Sequence, residues 1–278
     1  MSLKLAVLKN ATCGDTTFYT GDDERDVQHL SNCTLLCRRT FDGLDNVEIR
    51  VVEDPQAEFY LLSHAVRDAY SFGNKGQNNP PIIGQNVSLG PGVVLGDGVV
   101  LEDDVVVGPN TVIYSQSRIG SGTSIDANCT IGGAGIMWVW HQDRKLYLKL
   151  LGGVRIGNDC VIGANTSVVR GNAKENTTIE DRVCLAPGCC IGHGCVIEKD
   201  AHLANNVTLG GGVRIGPKNF LGSSATILPK VQTEGPDIVL AAGATLTKSV
   251  SEEGVYVGNP AKRLKSAAGN LAGIPRRG

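Results

Sequence analysis

Aromatic side chains are scarce in this sequence, at 5% of its 278 residues, and it holds only two Trp and two Met. So little bulky side-chain volume suits a narrow core rather than a broad globular one. The formal net charge of −2 gives no reason to expect binding to nucleic acid or to an anionic membrane. No apolar run reaches the roughly 18 residues of a transmembrane helix. The first residues also lack the apolar core and cleavage site of a signal peptide.

Glycine is abundant instead, at 36 residues, and an aliphatic residue recurs at every sixth position over two long stretches. The first ladder runs through Ile83, Leu89, Leu95, Leu101, Val107, Ile113, Ile119, Ile125 and Ile131. The second runs without a missed step through Ile179, Leu185, Ile191, Ile197, Leu203, Leu209, Ile215, Leu221 and Ile227. A period of six fits neither the 3.6 residues of a helical turn nor the alternation of a strand.

Such a period is typical of short strands joined by tight corners, and hexapeptide repeats are a signature of β-helices. Three hexads close one triangular coil of about 18 residues, and successive coils stack at the strand-pairing distance of roughly 4.8 Å. The sequence therefore predicts an all-β solenoid, a parallel β-helix whose long aliphatic side chains fill its interior.

The repeats also divide the chain. Residues 1–73 contain no hexads, and their strand-like fragments and one amphipathic helix predict a small α/β domain. We expect the β-helix over residues 82–250 and a C-terminal tail over residues 251–278. The period is lost over residues 132–153, which hold both Trp residues, and we expect a loop or hairpin that leaves one corner.

The cysteines fit neither a disulfide framework nor a metal site. Their number, nine, is odd, and without a secretion signal we expect reduced thiols in the cytoplasm. Four stand at the compact fourth position of a hexad, where Val, Thr or Ala stands elsewhere, namely Cys129, Cys160, Cys189 and Cys195. We interpret these four as small buried apolar residues and predict no metal.

One histidine is predicted to lie beside a glycine of the next coil, an arrangement that suits catalysis. His193 lies two positions after the ladder residue Ile191, so its side chain is expected to point away from the core. Gly211 follows eighteen residues later, at the same angular position one coil on. A glycine there leaves its N–H uncovered by any side chain of its own. An exposed polar corner residue is the alternative interpretation of His193.

Several segments resemble the left-handed β-helix acyltransferases. GDTTF (14–18), VVEDPQAEF (51–59) and IGANTSVVRG (162–171) resemble the lipid A branch, the UDP-3-O-acylglucosamine N-acyltransferases. IGHGCVIEKDAHLANNVTLGGGVRIG (191–216) and VYVGNPAKRL (255–264) resemble the nucleotide-sugar N-acetyltransferases. The resemblance implies a left-handed parallel β-helix and an N-terminal domain that recognises a nucleotide. The flat faces of such a solenoid need covering by a neighbour, so we expect a symmetric oligomer, and a cyclic homotrimer suits a triangular prism.

The resemblance also assigns roles to residues. It implies that His193 is the catalytic base, that the Gly211 amide holds the thioester oxygen, and that His202 contacts the acyl donor. An acid often follows the base in the nucleotide-sugar branch, where this chain has Gly194. Asp200 and Glu198 are then candidates to orient His193, or they are solvated corner acids.

Two further sets are candidates for binding. Phe18 and Tyr19 would stack a nucleobase, or would pack as an aromatic pair in the core of the small domain. The lipid A branch places a second stacking aromatic where this chain has Glu24. Lys262, Arg263 and Lys265 would hold the phosphates of CoA, or would form a solvated charged end.

The leading functional prediction is transfer of a short acyl group from acyl-CoA, with acetyl-CoA favoured, to the amine of a nucleotide-linked amino sugar. The setting would be bacterial glycan or lipopolysaccharide synthesis. One alternative is the lipid A N-acyltransferase reaction with an acyl-ACP donor. Another is a non-catalytic hexad scaffold or a carbonic-anhydrase-like metal site, which would need three converging histidines.

Overall fold

The computed structural model describes residues 3–44, 46–66 and 79–264. Within them, three parallel sheets form the faces of a triangular β-helix, and each strand pairs in register with the strand one coil away. Ile191, for example, pairs with Leu209. The predicted fold class, a left-handed parallel β-helix of hexapeptide repeats with a small N-terminal α/β domain, is confirmed.

The strands of each face are as follows within the described residues. The first face contains Ile82–Ile83, Val100–Leu101, Ser117–Ile119, Gly153–Ile156, Asn176–Ile179, Val196–Ile197, Arg214–Ile215 and Gln232–Thr233. The second face contains Ser88–Leu89, Val106–Val107, Ser124–Ile125, Val161–Ile162, Cys184–Leu185, His202–Leu203, Phe220–Leu221, Ile238–Leu240, Gly254–Val257 and Lys262–Arg263. The third face contains Val94–Leu95, Val112–Ile113, Thr130–Gly133, Ser167–Val169, Cys190–Ile191, Thr208–Leu209, Thr226–Ile227 and Thr245–Leu246.

The aliphatic ladder forms the core. Ladder residues such as Ile119, Ile179 and Leu203 are at most 1% exposed, because neighbouring coils cover them on both sides. Ile83 and Leu89 are each 45% exposed, since their coil lies at the open end of the stack. The four cysteines at compact hexad positions, Cys129, Cys160, Cys189 and Cys195, are buried in the same core cluster.

The chain after residue 250, which was expected to leave the helix as a tail, adds another strand to it. Gly254–Val257 pairs in parallel with Ile238–Leu240 and so extends the second face by one more coil. Lys262–Arg263 then turns back as an antiparallel strand beside Gly254–Val257. The predicted tail thus begins inside the sheet.

The N-terminal domain is a parallel sheet covered by a helix. Its strands are Thr16–Phe18, Thr34–Cys37 and Glu48–Val51, and its α-helix, α1, spans Pro55–Ala65. Two short 3-10 helices span Leu8–Asn10 and Glu24–Asp26. The carboxylate of Asp54 caps the start of α1 by accepting a hydrogen bond from the Ala57 N–H at 3.0 Å.

Residues 132–153, the predicted insertion, contain an antiparallel hairpin with strands Trp138–His141 and Arg144–Tyr147. Its apolar face joins the core of the N-terminal domain, where Val139 and Leu146 lie with Phe59 and Tyr60. The hairpin therefore packs its Val139 and Leu146 face against the small domain, while Trp138 and Trp140 on the other face are 40% and 62% exposed.

A second insertion, residues 170–175, receives the N-terminal domain and is called here the docking loop. The Val7 N–H donates to the Ala173 carbonyl at 3.0 Å. The Asn10 side-chain amide donates to the Lys174 carbonyl at 2.8 Å. Lys174 in turn pairs with the fully buried carboxylate of Asp15 at 2.6 Å. These polar contacts fix the small domain beside the β-helix.

Candidate active site

Both insertions leave the same corner of the β-helix, the turn from the third face to the first, called here the insertion corner. The hairpin follows the strand Thr130–Gly133, and the docking loop follows the strand Ser167–Val169. His193 lies at this corner one coil above the docking loop, between Cys190–Ile191 and Val196–Ile197. The eighteen-residue coil then places Gly211 at the corner above His193.

The imidazole of His193 lies against the backbone of Gly211. A Cβ atom added to Gly211 would stand 2.7 Å from both Cδ2 and Cε1 of the ring, closer than any side chain tolerates. The backbone at Gly211 does not have a positive φ, so its conformation alone does not demand glycine. The neighbouring imidazole therefore disfavours any larger residue at this position.

Main-chain hydrogen bonds join the turn at His193 to the turn at Gly211 one coil above, and they leave the Gly211 N–H available as a donor. The Gly212 N–H donates to the His193 carbonyl at 2.8 Å, and the Gly211 carbonyl accepts from the Lys230 N–H at 2.9 Å. Within the described parts of the chain, no group accepts a hydrogen bond from the Gly211 N–H. An N–H beside an imidazole can stabilise an oxyanion that forms while the imidazole holds a proton.

His193 is half-buried, and its Nδ1 atom is buried with no hydrogen-bond partner among the described residues. Burial lowers the pKa of His193 below its ordinary value of 6.5, because the imidazolium loses hydration. Glu175 acts in the opposite direction and raises this pKa, whereas Lys230 lowers it. The neutral imidazole, which can accept a proton, is thus favoured near neutral pH.

The pH dependence of turnover follows from this environment. If the neutral imidazole is the reactive form, kcat/KM stays on its plateau below pH 6.5 and falls only as the pH drops through the lowered pKa of His193. A pH profile of kcat/KM over the acid range measures this limb. An acid limb centred at or above pH 6.5 would contradict the described environment of the ring.

The two acids that were candidates to orient His193 pair with arginines. Asp200 accepts from Arg182 at 2.8 Å, and Glu198 pairs with Arg214 at 2.5 Å. Both carboxylates are engaged by arginines at another corner, which favours the alternative that they are corner acids without a role at His193. Glu175 of the docking loop lies beside the His193–Gly194 turn instead: a Cβ on Gly194 would stand 2.5 Å from its Oε2.

Sequence reasoning missed Glu175 because the docking loop interrupts the hexads there. The same spacing that pairs His193 with Gly211 would have found it, since Glu175 precedes His193 by eighteen residues. Thr177 was also missed. Its buried hydroxyl accepts a hydrogen bond from the Gly194 N–H at 2.9 Å and so supports the turn that carries His193.

His202 lies on a different face from His193. It belongs to the strand His202–Leu203 of the second face, is exposed, and stacks on Phe220 with ring centroids 5.2 Å apart. Within one chain the structure does not bring His202 to the insertion corner. A shared site would need a second copy, and the donor-binding role of His202 stays a prediction.

The basic segment lies at the C-terminal end of the second face. Lys262 and Arg263 are exposed, and the Arg263 guanidinium donates to the Glu253 carbonyl at 2.7 Å. It also lies 3.4 Å from a carboxylate oxygen of Glu252. Lys265 lies outside the described residues. Phosphate binding by this segment stays a prediction.

The two aromatics of the N-terminal domain have separate surroundings. Phe18 packs on Phe59, with ring centroids 4.9 Å apart. Tyr19 lies 5.8 Å from Phe41, and its hydroxyl donates to a carboxylate oxygen of Asp26 at 2.7 Å. One face of Phe18 is therefore taken by the core of the domain, and nucleobase stacking by this pair stays a prediction.

A cleft of about 530 Å³ separates the start of α1 from the tip of the hairpin. Asp54, Glu58, Trp140 and Arg38 line it. Over residues 3–44, 46–66 and 79–264, no three His, Cys, Asp or Glu side chains converge as metal ligands would. In the same residues no helix has the length and apolar character needed to cross a bilayer.

Family models match the repeats. The bacterial transferase hexapeptide (six repeats) matches residues 80–115, 98–133 and 176–211. The hexapeptide repeat of succinyl-transferase matches residues 153–171. The match over residues 176–211 includes both His193 and Gly211.

Curated relatives share one name. UDP-3-O-acylglucosamine N-acyltransferase of Delftia acidovorans is 35% identical over 128 residues, which cover 46% of this chain and 38% of the relative. The protein of the same name from a Janthinobacterium species is 33% identical over 160 residues, which cover 51% of this chain and 45% of the relative. The chain thus spans less than half the length of these relatives.

Solved structures share the fold. UDP-N-acetylglucosamine acyltransferase from Bacteroides fragilis has a TM-score of 0.60 at 21% identity, covering 68% of this chain and 71% of that one. A further UDP-N-acetylglucosamine acyltransferase has a TM-score of 0.59 at 27% identity, covering 66% of this chain and 69% of that one. The chain is therefore a left-handed β-helix protein built from bacterial transferase hexapeptide repeats, and it resembles the acyltransferases of that family.

Proposed function

We propose that this protein is an N-acyltransferase that moves an acyl group from a thioester to the amine of a UDP-linked, 3-O-acylated glucosamine. The names of the curated relatives support this acceptor. The observation that carries the proposal is the placement of the half-buried His193 ring against Gly211, one coil on at the insertion corner. A base and an adjacent N–H are the two groups that acyl transfer to an amine requires.

The chemistry proceeds through a tetrahedral adduct. The amine nitrogen attacks the thioester carbon, a C–N bond forms, and the neutral imidazole of His193 takes the proton from nitrogen. The Gly211 N–H donates to the oxyanion that develops on the former carbonyl oxygen. The C–S bond then breaks, and the imidazolium returns its proton to the departing thiolate. Atoms and charges balance without a metal.

A homotrimer is part of the proposal. The outward side chains of the second face form an uncharged column that includes Val106, Val161, Cys184, His202 and Phe220. Val106 and Val161 are 48% and 50% exposed, and covering such a column by another copy is favourable. That contact would place His202 of one copy near the insertion corner of the next.

The donor is either acyl-CoA, with acetyl-CoA favoured from the sequence, or acyl-ACP. Lys262 and Arg263 lie four strand spacings beyond His202 on the second face, a distance of roughly 19 Å. This separation fits a donor that extends along the β-helix from the reacting carbon, with its phosphates at the basic end. Both donors carry phosphates, so the geometry supports a long donor without choosing between them.

A donor–acceptor matrix tests the proposal. Purified protein is given UDP-3-O-acylglucosamine or the same sugar without its 3-O-acyl chain, each with acetyl-CoA, a long-chain acyl-CoA or a hydroxyacyl-ACP. Thiol release and the product mass are measured. We expect an N-acylated product with the 3-O-acylated acceptor. Turnover confined to acetyl-CoA with the non-acylated sugar would favour the short-chain N-acetyltransferase reaction, and no turnover with any pair would refute the proposal.

A further inference from the structure

Glu175 is an acidic residue of the insertion corner whose charge acts on His193. It ends the docking loop one coil below His193, and its carboxylate fills the space beside Gly194 in which a side chain at that position would stand. Only 14% of its side chain is exposed. A half-buried imidazole and a largely buried carboxylate at adjacent corners interact more strongly than exposed charges do.

Glu175 also links the site to the N-terminal domain. The Lys9 ammonium, on the 3-10 helix Leu8–Asn10, pairs with Glu175 Oε1 at 2.8 Å. Lys9 is brought there by the neighbouring bonds from Val7 to Ala173 and from Asn10 to Lys174. The small domain therefore places a positive charge on the carboxylate that faces the turn of His193.

Besides Glu175, the described titratable residues near His193 include Lys230 and Cys195. Lys230, at the same corner two coils above, opposes a positive charge on His193. Cys195, two positions after His193, is a buried thiol whose pKa is raised to about 11 by burial, so it stays neutral. Among the described neighbours, Glu175 is thus the group that favours the imidazolium and Lys230 is the cation that opposes it, while Lys9 pairs with Glu175.

We propose that Glu175 is a positioning residue that stabilises the imidazolium of His193 during acyl transfer, and that Lys9 of the N-terminal domain attenuates this effect when the domain is docked. The catalytic part of this inference rests on the proposed function of His193. The electrostatic part concerns the folded protein alone. The Glu175 carboxylate would thereby act both in docking the N-terminal domain, through Lys9, and in stabilising the charged form of His193.

The electrostatic part is tested by NMR titration of the histidine ring protons, with His193 assigned from an H193N variant. In E175Q the titration midpoint of His193 should fall, because the stabilising charge is lost. In K9Q the midpoint should rise, because Lys9 no longer neutralises the Glu175 carboxylate. The two variants break one ion pair yet shift the midpoint in opposite directions, so general loosening of the domain cannot produce both results.

Glu198 supplies the matched control. Its side chain is 20% exposed and, like Glu175, pairs with one cation, here Arg214, but it lies at a different corner. E198Q should leave the His193 midpoint unchanged. Equal shifts in E175Q and E198Q, or shifts of the same sign in E175Q and K9Q, would overturn the inference.

Kinetics test the catalytic part. With the donor and acceptor that give turnover, E175Q should lower kcat by about tenfold, leave KM unchanged and move the acid limb of the pH profile downward. E175D keeps the charge and should restore most of kcat. NMR shifts as expected without any change in kcat would overturn the catalytic role of Glu175, whereas retained turnover in H193A would remove the base itself. Unchanged NMR midpoints would sink the role of Glu175 and leave the base untouched.

Discussion

Replacement of His193 by Ala is expected to lower kcat/KM by about 10²–10⁴-fold, the usual contribution of a positioned general base. The reason is that the other imidazoles of the described chain lie elsewhere: His202 is on the second face, His29 and His64 are in the N-terminal domain, and His141 is on the hairpin, at the cleft beside the start of α1. Steady-state rates of thiol release with the active donor and acceptor measure the loss.

Folding should survive this change, because His193 lies at a corner outside the aliphatic core. Thermal unfolding and the size of the assembly should match the parent protein. His29→Ala is the control, since this exposed ring of the N-terminal domain lies away from the insertion corner and bonds through Nε2 to the Leu8 carbonyl at 3.0 Å. Wild-type rates in H193A, or an equal loss in H29A, would remove His193 from the reaction.

Replacement of Gly211 by Ala is expected to lower kcat by about 10²–10³-fold, the range found when one oxyanion donor is lost. The added Cβ would stand 2.7 Å from two ring carbons of His193. The His193 ring must then rotate away. This rotation displaces the base and at the same time changes the space above the Gly211 N–H. KM should change less than kcat, since the effect acts on the reacting groups.

The double variant H193A/G211A distinguishes the steric clash between the added Cβ and the His193 ring from a general destabilisation of the coil. In an H193A background the ring is absent, so G211A should cost little or no stability there, whereas it destabilises the parent protein. Thermal unfolding of the four proteins measures this coupling. If G211A destabilised both backgrounds equally, the collision with His193 would not be the reason for glycine.

Most of the β-helix could be predicted from the sequence because a hexad is a local rule. Every sixth residue must be a long aliphatic to fill the interior, so a single chain reveals the coil length and which residues share a corner. The pairing of His193 with Gly211 follows from the same rule, and the structure places them together. The open first coil was not predicted, since Ile83 obeys the repeat and is nevertheless 45% exposed.

The surroundings of His193 depended on contacts that the repeat does not encode. Lys9 and Glu175 are separated by most of the chain, and they meet only because the small domain docks on a loop that interrupts the hexads. Asp200 and Glu198 are near His193 in sequence, yet tight corners turn their side chains toward arginines elsewhere.

The sequence by itself determined the solenoid, its coil length and the corner that carries His193, because periodic burial of aliphatic side chains leaves one arrangement that closes. Only the tertiary structure decided which charges surround the imidazole. Electrostatic interactions depend on distance and burial in space, and the insertions set both by bringing the N-terminal domain against the insertion corner.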